Sequence, residues 1–370
     1  MKILHFDTDD IENPLGGGQP VRTFEIERRL AERHDVTVFT SVYSGCKRRQ
    51  DRGRLRYRRL GFRVAPFGLS PHLTFLSAIG PVIRSTPHDL VVEEFTPPVG
   101  FCMAPWWTRR PVVLIVQWFF FEQWERRYHL PFSRWMRRIA RWGNRYRHVI
   151  VQTEAMRRVF QTLLPRADCR IIPCGVNDDA FSEEHPGEGD CVVYLGRLDV
   201  VQKGLDVLLA AWENVCGPKN IPLVIAGEGP DRRVLEQRVA RAGLGKCVRF
   251  VGQVGNSRKR DLLGKARLMV LPSRCETFGI AALEAMAAGK PVVAFDIEHL
   301  NELVRPPWGV LVPPFDADRF GRAVADLWES PRACREAGEA ARRRAERYRW
   351  DCLAREQEQF YTEIVEGKPL

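Results

Sequence analysis

The feature that most constrains this 370-residue chain is a repeated alternation of short apolar runs with longer amphipathic segments. In the first half the runs are Lys2–Phe6, Val36–Thr40, Asp89–Glu93, Val112–Val116, Val149–Thr153 and Arg170–Pro173, and an amphipathic helix is expected over Gln19–Arg33. The pattern restarts at Cys191. Strands are expected over Cys191–Gly196, Leu223–Gly227, Val248–Gly252, Leu268–Leu271, Val292–Phe295 and Gly309–Val312. Helices over Gly204–Cys216, Asp231–Ala242, Asn256–Lys265 and Gly279–Ala288 alternate with them. Runs this short, without polar alternation and joined by helical crossovers, read as strands of parallel sheets covered on both faces. The chain is also longer than one hydrophobic core usually serves. Two doubly wound, Rossmann-like α/β domains follow, residues 1–178 and 190–350, joined by the polar stretch Asn177–Asp190 with Pro186, Gly187 and Gly189.

Ligands of doubly wound sheets bind outside the carboxyl ends of the strands, so two such domains imply a cleft between them. The stretch Leu271–Ala294, LPSRCETFGIAALEAMAAGKPVVA, sets Glu276 and Glu284 around a Gly-led helix start. The first N–H groups of a helix beginning near Gly279 have no intrahelical partner and attract an anion. Gly279 admits close backbone approach, and the two carboxylates can accept hydrogen bonds from sugar hydroxyls. Each glutamate alone reads equally well as an ordinary helix-start acid. On the strand-to-helix loop after Cys191–Gly196 stand Arg197 and Lys203. Singly they are surface charges; together, at a strand end of the same sheet, they can neutralise charge growing on a leaving phosphate, as a metal does elsewhere.

The Glu276-to-Glu284 spacing, together with Gly196-Arg197-Leu198 and Lys203-Gly204, resembles the E-x7-E and G-R-L…K-G elements of the retaining family 4 glycosyltransferases of the GT-B fold. The resemblance covers nearly the whole chain. It implies two Rossmann-like domains facing across a cleft and a C-terminal helix, about 351–366, crossing back to the first domain. It further implies that Glu284 binds ribose hydroxyls and that Glu276 lies by the transferred sugar and phosphates, acting with Arg197 and Lys203. Backbone N–H groups around Phe278, Gly279 and Ile280 would take up diphosphate oxygens. Loops carrying Gly227, Glu228 and Val254 would bracket the nucleobase. Gly17 and Gly18, in the turn Gly16-Gly17-Gly18, would face the donor diphosphate. No cofactor or metal is implied, only a nucleotide-sugar co-substrate, UDP- or GDP-linked.

The acceptor side departs from that pattern. Where many relatives carry a histidine, Gln117 follows Val112–Val116; it can donate and accept hydrogen bonds but cannot titrate. Asp9 and Glu94, at the exits of two strands of the first domain, are further candidates for acceptor hydroxyls, though solvated loop carboxylates would look the same. Residues 1–180 hold 29 Lys and Arg against 18 Asp and Glu, a balance of +11, leaving 28 against 28 in the rest. That asymmetry points to an anionic partner for the first half. Aromatics and arginines interleave from Trp118 to His148, with Trp135, Ile139, Trp142 and Tyr146 on one helical stripe. The stripe either lies on an anionic membrane surface or packs on the protein's own sheet. Lys47–Arg63 suggests a strand bordered by solvated arginines. No nucleic-acid module accompanies the charge, so nucleic acid is not an expected partner.

The cysteines, ten in all and with no Cys-x-x-Cys spacing, read as reduced, mostly buried thiols rather than disulfides or zinc ligands. The opening Lys2–Phe6 run is too short for a signal-peptide apolar region, and no apolar run reaches the roughly 18 residues of a membrane span. The expected location is the cytoplasm, with a peripheral position at the inner membrane face as a second reading. The expected activity is metal-independent, retaining transfer of a sugar from a nucleotide diphosphate to a hydroxyl of a glycan, lipid carrier or small metabolite. The competing readings are a GT-B epimerase, or a catalytically silent sugar-nucleotide-binding or membrane-surface scaffold protein.

Overall fold

The computed structural model describes residues 1–13, 19–62, 70–95, 104–117, 145–181 and 186–367. The chain divides into two units, one of Met1–Cys174 with Trp350–Leu370, the other of Gly175–Arg349. Among the described residues no helix is long and apolar enough to cross a membrane.

The first unit is built on an eight-stranded sheet in the order β3-β4-β2-β1-β5-β6-β7-β8. Its strands are β1 (Lys2–Phe6), β2 (Asp35–Ser41), β3 (Arg49–Arg52), β4 (Leu55–Leu60), β5 (Leu90–Glu94), β6 (Val112–Val116), β7 (His148–Val151) and β8 (Asp168–Ile171). All neighbours pair parallel except β3 with β4. The fully apolar β6 is buried on both faces, as its composition requires. The helix Trp350–Glu366 belongs to this unit and meets the helix Gln19–Leu30. There the fully buried Arg22 donates through Nη2 to Gln357 Oε1 at 2.8 Å and to the Ile172 carbonyl at 3.2 Å.

Three details differ from the sequence reading. The basic segment Lys47–Arg63 forms a hairpin of β3 and β4, and Arg59 is buried rather than solvated, forked onto Asp10 at 2.8 and 3.1 Å. An arginine of β4, a strand flanked on both sides by β2 and β3, can turn inward when a buried carboxylate accepts its fork. Tyr146, read as part of a helical stripe facing either a membrane or the protein's own sheet, stands outside any helix two residues before β7, where it is buried and donates its hydroxyl to Glu93 at 2.8 Å. The rest of that stripe, with residues 118–144, lies outside the described residues. A helix over Ser70–Ser85, apolar with an internal Pro81, was not anticipated from periodicity.

The second unit carries a fully parallel six-stranded sheet, β11-β10-β9-β12-β13-β14. The strands are β9 (Cys191–Leu195), β10 (Leu223–Ala226), β11 (Val248–Gly252), β12 (Ala266–Leu271), β13 (Val292–Phe295) and β14 (Gly309–Val312). From β9 the order runs outward to β11 on one side, then jumps back to β12 and runs outward to β14 on the other. The strand order therefore reverses between β9 and β12, the place where doubly wound sheets bind ligands. The core beneath is continuous, from Val192, Tyr194 and Leu208 to Val270, Val293 and Phe320.

Candidate functional site

Two loops meet at the β9/β12 reversal. The first leaves β9 through Gly196 and Arg197, is capped by Asp199 accepting from the Gln202 amide at 3.0 Å, makes one helical turn over Val200–Lys203, and continues into the helix Leu205–Ala211. Gly204 joins the two helical pieces at φ +63°, and a Cβ there would stand 2.1 Å from the Pro272 carbonyl oxygen, so only glycine fits. The second loop leaves β12 at Pro272 and enters the helix Ile280–Ala287 through Gly279, whose φ of +90° no side chain caps. The first amides of that helix lack intrahelical acceptors.

Between the loops Lys203 Nζ donates to Glu276 Oε2 at 2.5 Å, with Ser273 Oγ 3.4 Å from the same oxygen. Both side chains are mostly buried, so this is a semi-desolvated ion pair at the sheet's ligand-binding edge. Arg197 is half-exposed, bonded to Gln202 Oε1 and 3.5 Å from Asp199. Eight residues on, Glu284 accepts from Lys259 Nζ at 2.5 Å, a lysine from the helix Asn256–Lys265. Each clamp carboxylate is thus held by an ammonium from a neighbouring element.

The other expected donor residues stand on loops of the same unit. Gly227 follows β10 and donates its amide to the Gly252 carbonyl at 2.8 Å, while the Glu228 carbonyl accepts from Leu198 at 2.9 Å. Glu228's side chain pairs with Arg232, and Val254, past β11, is half-buried. Phe278 turns its ring inward against Tyr348, with centroids 5.8 Å apart, leaving Gly279 and the half-buried Ile280 at the helix start. Gly17 and Gly18 lie outside the described residues.

The strand exits of the first unit carry a different chemistry. Its order also reverses, between β1 and β5, and there His5, Asp7 and Glu94 are all fully buried. His5 Nδ1 lies 2.8 Å from Glu27 and its Nε2 3.4 Å from Glu94. Burial alone would lower the His5 pKa, but the charges and hydrogen bonds of Glu27 and Glu94 outweigh it and raise it to about 10. Asp7 accepts from Gln19 Nε2 at 2.8 Å and from Thr23 at 2.7 Å. Burial, then the charges of Glu94 and Asp9, raise its pKa to about 7. His5, Asp7 and Glu94 bring ligand-type atoms within 4.8 Å of one another and could hold a cation; in the protein as it stands these atoms serve the internal network. Glu94 is therefore part of a buried floor. Asp9 is only partly buried, its pKa raised chiefly by that burial. Gln117 is nearly buried, its amide 3.4 Å from the Gln19 carbonyl and its oxygen 3.4 Å from Gln152 Nε2.

Sequence reasoning missed four residues of the second unit's site: Gln202, Asp206, Lys259 and Arg274. Arg274 sits two residues before Glu276 and forks onto Asp206, both bonds 2.7 Å. The arginine immediately after Pro272-Ser273, at the helix-adjacent loop, was visible in sequence, but no spacing rule links it to position 206.

Comparison with solved structures places this architecture in the GT-B class. Sucrose-phosphate synthase from Thermosynechococcus elongatus superposes with a TM-score of 0.81 at 22% identity, covering 99% of this chain and 100% of that one. HepE of Anabaena, in complex with UDP-glucose, superposes at 0.73 and 18% identity, covering 98% and 100%. The profile described as Glycosyltransferase Family 4 matches residues 16–180, and that described as Glycosyl transferases group 1 matches residues 176–344. The chain belongs to the family 4, group 1 glycosyltransferases. Among curated relatives, the phosphatidyl-myo-inositol mannosyltransferase of Mycolicibacterium smegmatis is 34% identical over 211 residues, 54% of this chain and 53% of that protein. The alignment thus spans about half the length of that relative.

Proposed function

We propose that the protein is a retaining, metal-independent glycosyltransferase that moves a sugar from a UDP- or GDP-sugar to a hydroxyl acceptor. The observation that carries this reading is the Lys203–Glu276 pair, 2.5 Å long, beside the uncapped helix start at Gly279 and at the reversal of strand order. In this reading the diphosphate lies over the first amides of Ile280–Ala287, and Lys203 and Arg197 stabilise the negative charge that grows on it as the glycosyl bond breaks. Glu276 holds Lys203 and faces the sugar, and Glu284 accepts from the ribose hydroxyls, sharing its charge with Lys259. The acceptor oxygen attacks the anomeric carbon on the face the phosphate leaves, and its proton passes to the departing phosphate oxygen. No side-chain base is needed, consistent with glutamine at position 117. The relatedness to a mannosyltransferase and the fold shared with a UDP-glucose complex support the same class of donor.

Asp9, Gln117 and Glu94 are the proposed acceptor residues; the Asp9 amide donates to Asp7 at 3.0 Å, and Gln19, whose carbonyl accepts from Gln117, donates to the same Asp7 oxygen at 2.8 Å. A peripheral position at the inner face of an anionic membrane accompanies this reading. It is supported by the exposed Trp106 and Trp107, on which Arg145 and Arg84 stack at 3.9 and 4.7 Å, an aromatic and cationic pairing suited to lipid headgroups.

The test is incubation with a panel of nucleotide sugars, following nucleoside diphosphate release with and without chelator. Release from one donor, unchanged by chelator and abolished in Glu276→Ala, is expected. No release from any donor, with Glu276→Ala binding nucleotide like the wild type, contradicts the assignment.

A further inference from the structure

Lys203 and Glu276 stand on separate loops, so the geometry of their pair depends on what holds the loops in register. Arg274 supplies several of the links between them. Its backbone amide donates to the Gln202 carbonyl at 2.9 Å, and the next amide, Cys275, reaches the same oxygen at 3.3 Å. Its Nη1 donates to the Val200 carbonyl at 2.7 Å, and Nη1 and Nη2 each donate to one oxygen of Asp206 at 2.7 Å. These anchors fall on both sides of Lys203: Val200 and Gln202 precede it, Asp206 follows. Gly204, pressed against the Pro272 carbonyl, closes the same seam.

We propose that Arg274 is a positioning residue for donor recognition: its fork on Asp206 fixes the turn that carries Lys203, and its effect on the donor passes through Lys203. The inference rests on the donor-binding reading given above. A guanidinium fork suits this task because it matches a carboxylate in two bonds of fixed plane, while a lysine makes a single, freely swivelling contact. The charge of Arg274 is taken up by Asp206 in two bonds of 2.7 Å, whereas the half-exposed Arg197 meets Asp199 only at 3.5 Å, so Arg274 serves alignment rather than phosphate binding. Burial opposes ionisation of Asp206, yet the hydrogen bonds and charge of Arg274 hold its carboxyl below the ordinary range, consistent with a persistent pair. Both side chains are about one-third exposed, so the pair adds little to global stability. Its removal can therefore be read at the site.

The experiment measures the dissociation constants of UDP and GDP by calorimetry, with thermal unfolding, on the full chain as wild type, Lys203→Ala, Arg274→Lys, Asp206→Asn and the double variant Arg274→Lys/Lys203→Ala. Lys203→Ala is expected to weaken the bound nucleotide about tenfold or more, the scale of one charge-assisted hydrogen bond. Arg274→Lys and Asp206→Asn should each weaken it about tenfold with little change in unfolding temperature. The double variant should bind no more weakly than Lys203→Ala alone, because Arg274 acts through Lys203. Wild-type affinity in Arg274→Lys and Asp206→Asn overturns the proposal, and so does a double variant whose losses multiply. If Arg274→Lys unfolds, Asp206→Asn, which keeps its shape and one acceptor oxygen, decides alone. If the wild type binds neither nucleotide, or Lys203→Ala binds as tightly as the wild type, the donor reading itself fails, a result distinct from an unperturbed Arg274 variant.

Discussion

At the donor edge of the second unit, charge is placed in pairs whose partners come from different segments of chain. Lys203 with Glu276, Lys259 with Glu284 and Arg274 with Asp206 all join neighbouring elements of one sheet edge. Glu284 gives the most specific residue-level prediction. Wild type should bind UDP about tenfold more tightly than 2′-deoxy-UDP, and Glu284→Ala should lose that preference, since a hydroxyl-to-carboxylate bond is worth about that factor. Equal discrimination by both proteins in a competition titration contradicts the ribose assignment. In the other unit, His5 retains its proton to about pH 10 against an ordinary 6.5. The folded state then binds more protons than the unfolded one between these values, so its contribution is complete below about pH 6.5 and is lost as pH rises through about 10. The raised Asp7 pKa acts in the same sense at lower pH: its contribution is complete below about 4 and is lost as pH rises through about 7. An NMR titration of the His5 imidazole should show no deprotonation between pH 6 and about 9; a midpoint near 6.5 contradicts the buried Glu27–His5–Glu94 network.

At the scale of elements, caps and turns set where helices begin, and so where functional groups stand. Asp316 caps the helix Ala317–Glu329 by accepting from the Arg319 amide at 2.9 Å. Asp316→Ala should cost about 1 kcal/mol in denaturant unfolding, with nucleotide binding unchanged; no loss of stability contradicts the cap. The element pattern of the second unit was largely legible, because buried parallel strands such as Val292–Phe295 are uniform apolar runs and the Gly279 and Gly289 boundaries are local signals. The helix Ser70–Ser85 was not, since its apolar residues extend beyond one face and Pro81 interrupts the helical signal. Glu276, Glu284, Arg197 and Lys203 could be singled out by sequence because each lies in a local motif. Arg274 on Asp206, Lys259 on Glu284 and Arg59 on Asp10 could not, because each pair is a product of strand order bringing distant loops together.

At the scale of the whole molecule, the excess charge of +11 lies within residues 1–180, and exposed tryptophans with stacked arginines lie in that same unit. Flotation with vesicles of phosphatidylcholine and phosphatidylglycerol should recover the wild type at low salt and several-fold less of Trp106→Ser/Trp107→Ser, with recovery falling as salt screens the charge. Identical recovery of both proteins contradicts the membrane-surface reading and leaves the donor site untouched. Both units reverse their strand order at one point, and each places a charged cluster there, Lys203 and Glu276 in one, His5, Asp7 and Glu94 in the other. The second unit's reversal is the proposed donor site. A crystal structure of the protein soaked with UDP or GDP tests it most directly. Diphosphate oxygens are expected on the amides following Gly279 and on Lys203 Nζ, with the ribose hydroxyls on Glu284. A nucleotide bound elsewhere on the chain, or seated here with its ribose away from Glu284, would contradict it.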